Sequence, residues 1–312
     1  MKLFDLHCDT IGECYMQNQR LYDNSLSVSL KKVAGYEKYS QVFAIWTDDK
    51  LDEKQSLAYF SNVLRTFDGE LEANSALISP VEHWGDLDRI GSNAVLSLEN
   101  GKLIDGDLNR IDALYDCGVR MITLTWNGIN SIGCGALSGD ERGLTAFGRC
   151  AVVRMQERGI AVDVSHLNER GFYDVAAIAQ RPFIASHSNA KSVCGHPRNL
   201  TDDQIKIIGE SGGIIGLNLY HSFLGDGDQL RLACEHAARI IACSSENTLA
   251  LGCDYDGADI APVFDSVDKL EVLYQAFLDY GFGEPLCRKI FYENAYNYFT
   301  KNIYCGIITS RR

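Results

Sequence analysis

The chain has 312 residues, 46% of them apolar and 23% charged, which is enough to bury a sizeable core and argues against disorder. Its 42 Asp plus Glu outnumber 29 Lys plus Arg, giving a formal charge of -13. That balance excludes a nucleic-acid or anionic-membrane surface, which needs clustered cations.

Short apolar runs alternate with amphipathic stretches. The runs predict parallel strands, buried on both faces, at Lys2–Leu6, Gln41–Trp46, Ala94–Leu98, Arg120–Thr125, Ile160–Val164, Pro182–Ala185, Gly213–Leu217 and Thr248–Gly252. Between them, helical spacing predicts helices over Ser56–Leu71, Ala146–Arg158, Asp202–Gly209 and Gln229–Cys243, and Val267–Tyr280 follows the last strand. Thr201-Asp202-Asp203-Gln204 reads as a capping box. Phe291–Phe299 reads as a closing helix. Eight strands interleaved with helices predict a (β/α)8 TIM-type barrel, a single domain over residues 1–312. An open doubly wound sheet is the alternative, but the phosphate-loop and dinucleotide motifs that would favour it are absent.

The 11 cysteines form no C-x-x-C pair, and neither an export leader nor a transmembrane span is read. These features predict reduced thiols in a cytoplasmic protein with no membrane or nucleic-acid partner.

Polar residues gather at the downstream strand ends. Strand 1 ends in Leu6-His7-Cys8-Asp9, where a period of two puts His7 and Asp9 on one side and Cys8 on the other. Glu99 ends strand 3, His166 follows strand 5, His187 follows strand 6, and Asp254 and Asp256 follow strand 8. In a barrel these ends share one mouth. Imidazoles and carboxylates are the ligand types of Zn²⁺, and five donors with a bridging Glu suit two ions. Such a pair holds a hydroxide at neutral pH and polarises the carbonyl it attacks. Asp254 can then shuttle the proton. Arg198, in the loop His196-Pro197-Arg198-Asn199, either grips a substrate carboxylate or staples its loop. His83 and His236 read as surface residues, and His221 as lining the mouth.

DLHCDT, SLENG, VDVSHLNE, PFIASHSNAKSVCGHPRNL and LGCDYDG, in that order from about residue 4 to about residue 257, with a weaker echo in ENAYNYF, resemble the membrane dipeptidase (renal dipeptidase, peptidase M19) family of the amidohydrolase superfamily. The resemblance implies a binuclear zinc dipeptidase, with tolerance of a D-residue at the C-terminal position of the substrate. It implies that His7 and Asp9 hold one Zn²⁺, His166 and His187 the other, and that Glu99 and a hydroxide bridge them. It makes Arg198 the receptor of the terminal carboxylate and Asp254 the proton shuttle, with Asp256 as the competing choice, and it implies a homodimer. Trp126 stands where the animal enzymes have a histidine that binds the scissile group, so Trp126 becomes a substrate-binding residue of a different kind. Two other readings stand beside this one: an amide hydrolase for N-acyl amino acids or cyclic amides, and a non-catalytic metal-dependent binding barrel.

Overall fold

The structure, a computed structural model, describes residues 1–304. The first half runs β1 (Lys2–Cys8), α1 (Thr10–Gln17), β2 (Lys38–Trp46), α2 (Glu53–Ala73), β3 (Ile78–Pro80), β4 (Ser92–Glu99), α3 (Asn109–Asp116), β5 (Val119–Thr123) and α4 (Ala146–Arg158). The second half runs β6 (Ala161–Asp163), α5 (Glu169–Ile178), α6 (Asp202–Glu210), β7 (Ile215–Leu217), α7 (His221–Leu224), α8 (Gln229–Cys243), β8 (Leu249–Leu251), α9 (Leu270–Tyr280), α10 (Gly283–Arg288) and α11 (Asn294–Thr300). The architecture is α/β, with a curled parallel sheet in the order β6-β5-β4-β2-β1-β8-β7, and β3 pairs beside β4. Among the described residues no helix is long and apolar enough to cross a membrane.

Helix α4 and helix α8 have the predicted bounds, and α6 opens on the capping box, with the Thr201 hydroxyl accepting from the Gln204 amide at 3.2 Å. The structure differs from the expected elements in three places. Residues Pro182–Ala185 form single bridges, Asp163 to Ile184 and Ala185 to Ile215, and not a ladder. Pro182 has no N–H to donate, and Ser186 turns its amide to Asp163 Oδ1 at 2.9 Å, so little chain remains to pair. Val267–Tyr280 begins with a 3-10 turn before α9. The closing segment starts as a π-helical turn, Lys289–Glu293, before α11.

An inner cluster takes Phe4, Val42, Val95, Met121 and Ala250 from the strands and Ile184 from the bridging segment, and a larger outer cluster packs the helices against the sheet. Phe299 of α11 covers one end of the inner cluster, stacking on Phe4 at 5.5 Å and on Trp84 at 4.3 Å. Register then aligns the opposite end. Trp46 pairs with Glu99, Glu99 with Thr123, and Thr123 with Asp163, so the polar strand ends form one row.

Two glycines allow the tightest approach. A Cβ on Gly216 or Gly252 would stand 1.8 Å from the Ser186 carbonyl oxygen. Gly252→Ala is therefore expected to destabilise the fold by about 1–3 kcal/mol or more. Gly69→Ala, on an exposed face of α2 with nothing within 4 Å of the new Cβ, should stabilise by about 0.5–1 kcal/mol. Urea unfolding of both variants checks the contrast.

Candidate metal centre

Strand β1 slips register between Asp5 and Cys8. The slip lets Leu6 join the inner cluster while His7, the next residue, also faces the interior, and Cys8 packs into the outer core. The end of β8 is stitched to the end of β1: the Asp254 amide donates to the His7 carbonyl at 3.2 Å, and the Asp9 amide to the Tyr255 carbonyl at 2.8 Å. His166, Asp254 and Asp256 hold left-handed φ values of 68°, 65° and 65°, unusual for residues with a Cβ and a sign that surrounding bonds dictate the geometry.

These devices bring the predicted ligands together. His7 Nε2 lies 3.4 Å from Asp9 Oδ2, 3.5 Å from Glu99 Oε2 and 3.8 Å from Asp254 Oδ1. Glu99 Oε1 lies 2.9 Å from His166 Nε2 and 3.8 Å from His187 Nε2. Two ligand groups result, His7–Asp9–Glu99 and Glu99–His166–His187, and Glu99 belongs to both. A third joins His7, His187 and Asp254.

Electrostatics make the cluster hungry for a cation. Burial pushes the Glu99 carboxyl up to about 7 and raises Asp9 as well. Burial opposes a charge on His7, but Glu99 and Asp9 outweigh it and hold the imidazole well above its usual value. Burial holds His166 and His187 well below theirs, so both are neutral and free to ligate. His7 Nδ1 and Nε2, His187 Nε2 and Asp9 Oδ1 are buried with no hydrogen-bond partner among the described residues. Buried imidazole and carboxylate atoms left without partners in this way fit a divalent metal of the zinc type, which would take the place of the His7 proton.

Residues around the ligands fix their directions. His166 Nδ1 is 3.0 Å from Asn127 Oδ1, and Asn218 Nδ2 donates to Asp254 Oδ2 at 2.9 Å. Asp256 is occupied: its Oδ2 accepts from the Thr10 hydroxyl at 2.5 Å and its Oδ1 from the Ser27 amide at 2.7 Å. Sequence reasoning singled out neither Asn127 nor Asn218, and a polar residue two or more positions from a ligand gives no distinctive signal.

A cavity of ≈ 470 Å³ opens over the cluster. Trp126 lines it and meets Trp46 edge-on at 5.0 Å, and its ring is 6.3 Å from that of His166. Arg198 also lines it, is only 4% exposed, and sits 5.3 Å over the Phe223 ring. Its Nε and Nη2 have no hydrogen-bond partner among the described residues, and burial lowers its pKa to about 10. The loop is stapled by Asn199 instead, whose Nδ2 donates to the carbonyls of Cys194 at 2.8 Å and Phe223 at 2.9 Å.

The other histidines divide. His83 is exposed. His221 sits beside the mouth without lining the cavity, its Nδ1 3.0 Å from the Asp259 carbonyl. His236 is not on the surface but fully buried, accepting from the Ala190 amide and facing the Leu224 carbonyl, each at 3.0 Å. Its polar sequence neighbours hid the one face of α8 that turns inward.

A profile of the membrane dipeptidase family (peptidase family M19) matches residues 1–302. An uncharacterized protein of Klebsiella pneumoniae, from the pqqA 5' region, is 33% identical over 225 residues, 67% of this chain and 83% of its own length. The solved structure of dipeptidase AC, a metallo peptidase of family M19, superposes with a TM-score of 0.89 at 27% identity, covering 97% of this chain and 98% of its own. A metallo peptidase of Rhodobacter sphaeroides, solved with a phosphinate mimic of the dipeptide L-Ala-D-Ala, gives a TM-score of 0.89 at 25% identity, covering 97% and 99%. The chain belongs to the membrane dipeptidase family, peptidase family M19, a family of metallo-dipeptidases.

Proposed function

We propose that this dipeptidase is a binuclear zinc enzyme built on a single closed (β/α)8 barrel domain. The bridges at Ile184 and Ala185 support closure, since they link β6 to β7 across the gap in the sheet. The observation that carries the two-metal reading is that the two oxygens of Glu99 address different histidines, Oε2 facing His7 and Oε1 facing His166 and His187. His7 and Asp9 would hold one ion, His166 and His187 the other, and Glu99 both. When bound, the ions would supply an activated water and polarise the scissile carbonyl.

The chain's own groups do the rest. Arg198 binds the terminal carboxylate of the substrate, which in a dipeptide lies one residue from the scissile bond. Asp254, oriented by Asn218, takes the proton of the attacking water and returns it to the leaving nitrogen. Asp256 keeps a structural role, because Thr10 and Ser27 use its oxygens. Trp126 and Trp46 wall the cavity beside the scissile group. Glu13 and Asp259 at the cavity wall suit a free ammonium, which favours a dipeptide over an N-acyl amino acid. The mimic bound by the Rhodobacter sphaeroides neighbour supports acceptance of a C-terminal D-residue.

Purified enzyme should carry close to two Zn²⁺ per chain by elemental analysis, and Glu99→Gln should lose both. Zinc must displace the protons held by His7 and Glu99, so affinity should rise with pH and uptake should release protons. Calorimetry in buffers of different ionisation enthalpy measures that release.

Asp254→Asn should keep its metal and lose turnover by about 10²–10⁴-fold. Asp256→Asn should instead lower stability, read as a reduced unfolding midpoint.

The length gauge is tested with acid and amide forms of one dipeptide. Truncating one partner of a buried charged pair costs roughly 2–5 kcal/mol. Arg198→Ala should therefore lower kcat/KM on the free acid by about 30-fold to several thousand-fold. Wild type should show a similar penalty on the C-terminal amide, and the variant should hardly distinguish the two. Equal cleavage of acid and amide by wild type removes Arg198 from the substrate.

A further inference from the structure

Asp163 is not among the ligands, yet it is fully buried beneath them and its carboxylate collects four hydrogen bonds. The amides of Ser165 and Ser186 donate to Oδ1 at 2.9 Å each, and the hydroxyls of Thr123 and Ser186 donate to Oδ2 at 2.6 Å each. A carboxylate only accepts. The single proton of Ser186 Oγ is therefore committed to Asp163, and that oxygen faces its other neighbours as an acceptor. One neighbour is His187 Nδ1 at 2.7 Å, and the second is Ser165 Oγ at 3.4 Å. Nδ1 must then carry the ring proton. His187 Nε2, buried and without a hydrogen-bond partner among the described residues, is left with its lone pair free, 3.8 Å from Glu99 Oε1.

We propose that Asp163 is a positioning residue that fixes the tautomer of His187 through Ser186, so that Nε2 is always the nitrogen presented to a metal ion. The proposal rests on the reading of His187 as a metal ligand and extends it one layer outward. His166 reaches the same end by a shorter route, through Asn127 alone. Groups in this outer layer set imidazole orientation and typically change metal affinity by about 10–100-fold.

The isosteric change Asp163→Asn makes a sharp test, because it reverses the direction of the chain of hydrogen bonds. Two backbone amides point at Oδ1, so the amide oxygen of Asn must stay there. Its NH₂ then occupies the place of Oδ2 and donates to Ser186 Oγ. The Ser186 proton, no longer committed, turns to His187 Nδ1 as a donor. The ring proton moves to Nε2, which can no longer ligate.

The first measurement uses ¹⁵N-histidine-labelled, metal-free wild type. Nitrogen shifts should report the Nδ1–H tautomer for His187, and an Nε2–H tautomer overturns the proposal whether or not any variant folds. Ser186→Ala should leave His187 as a mixture of tautomers, and a ring still wholly Nδ1–H there also overturns it. The second measurement titrates Zn²⁺ against a competing chelator. Asp163→Asn should show the Nε2–H tautomer and bind one Zn²⁺ about 10–100-fold less tightly. Asp163→Asn/Ser186→Ala should recover part of that loss, because no donor then faces Nδ1. A merely structural Asp163 would make the two single losses multiply, and that result, or wild-type affinity in Asp163→Asn, contradicts the proposal. His187→Ala separates the two levels. Unchanged zinc binding in His187→Ala sinks the ligand reading itself, while a loss there with none in Asp163→Asn sinks only the tautomer control.

Discussion

Asp9, Glu99 and Asp254 all come within 3.4–3.8 Å of one buried imidazole nitrogen, His7 Nε2. Carboxylates held this close, with little water to screen them, raise each other's energy in the ionised form. Burial first, and then the neighbouring carboxylates, push Glu99 up to about 7, while Glu99 and Asp9 together overcome burial and hold His7 well above the usual imidazole range. A divalent ion answers the same demand without protons, and deprotonated ligands are what it requires. The donor set is thus one that suits a divalent cation. Arg198 extends the pattern outward: it is a second buried charge whose Nε and Nη2 have no hydrogen-bond partner among the described residues, and it lines the same cavity as Asp9, Glu99 and Asp254.

Holding that cluster requires a backbone that departs from regular strands at each entry point. The register slip in β1 turns two consecutive residues inward. Left-handed φ values at His166 and Asp254 aim side chains that an extended chain would direct elsewhere. Gly216 within β7 and Gly252 just after β8 let the chain press against the Ser186 carbonyl, next to His187. Conformations of this kind cost roughly 1–3 kcal/mol each and persist because surrounding bonds over-determine them. Here those bonds are visible: Asp163 ties Thr123, Ser165 and Ser186 into one knot below the ligands.

Much of this was legible in the sequence because parallel strands read as apolar runs, and a polar residue ending such a run stands out. His7, Asp9, Glu99, His166 and His187 were found that way, and the structure brings all five together. Helices α4 and α8 were legible because their apolar spacing is regular and their ends are marked. Helices α1, α3 and α5 were not singled out: each is only eight to ten residues long, and none opens on a capping box like the one that marks α6. The choice between Asp254 and Asp256 was open because both lie in one turn, and only long-range partners distinguish them: Asn218 for the first, Thr10 and Ser27 for the second. The same holds for Arg198, since the Asn199 bonds that free it from stapling the loop are contacts between loops. Asp163 hid inside a run read as an ordinary strand. Its importance comes from what it accepts, and a carboxylate's partners cannot be read from its neighbours in sequence.

The central claim is the proposal that one carboxylate, Glu99, holds two ions, one with His7 and Asp9 and one with His166 and His187. Anomalous diffraction at the zinc edge from crystals of the metal-loaded protein tests it most directly. The account predicts two peaks about 3.5–4 Å apart, the spacing usual for two-metal hydrolases, one beside each oxygen of Glu99. A single peak, or two peaks with Glu99 touching only one of them, would contradict it.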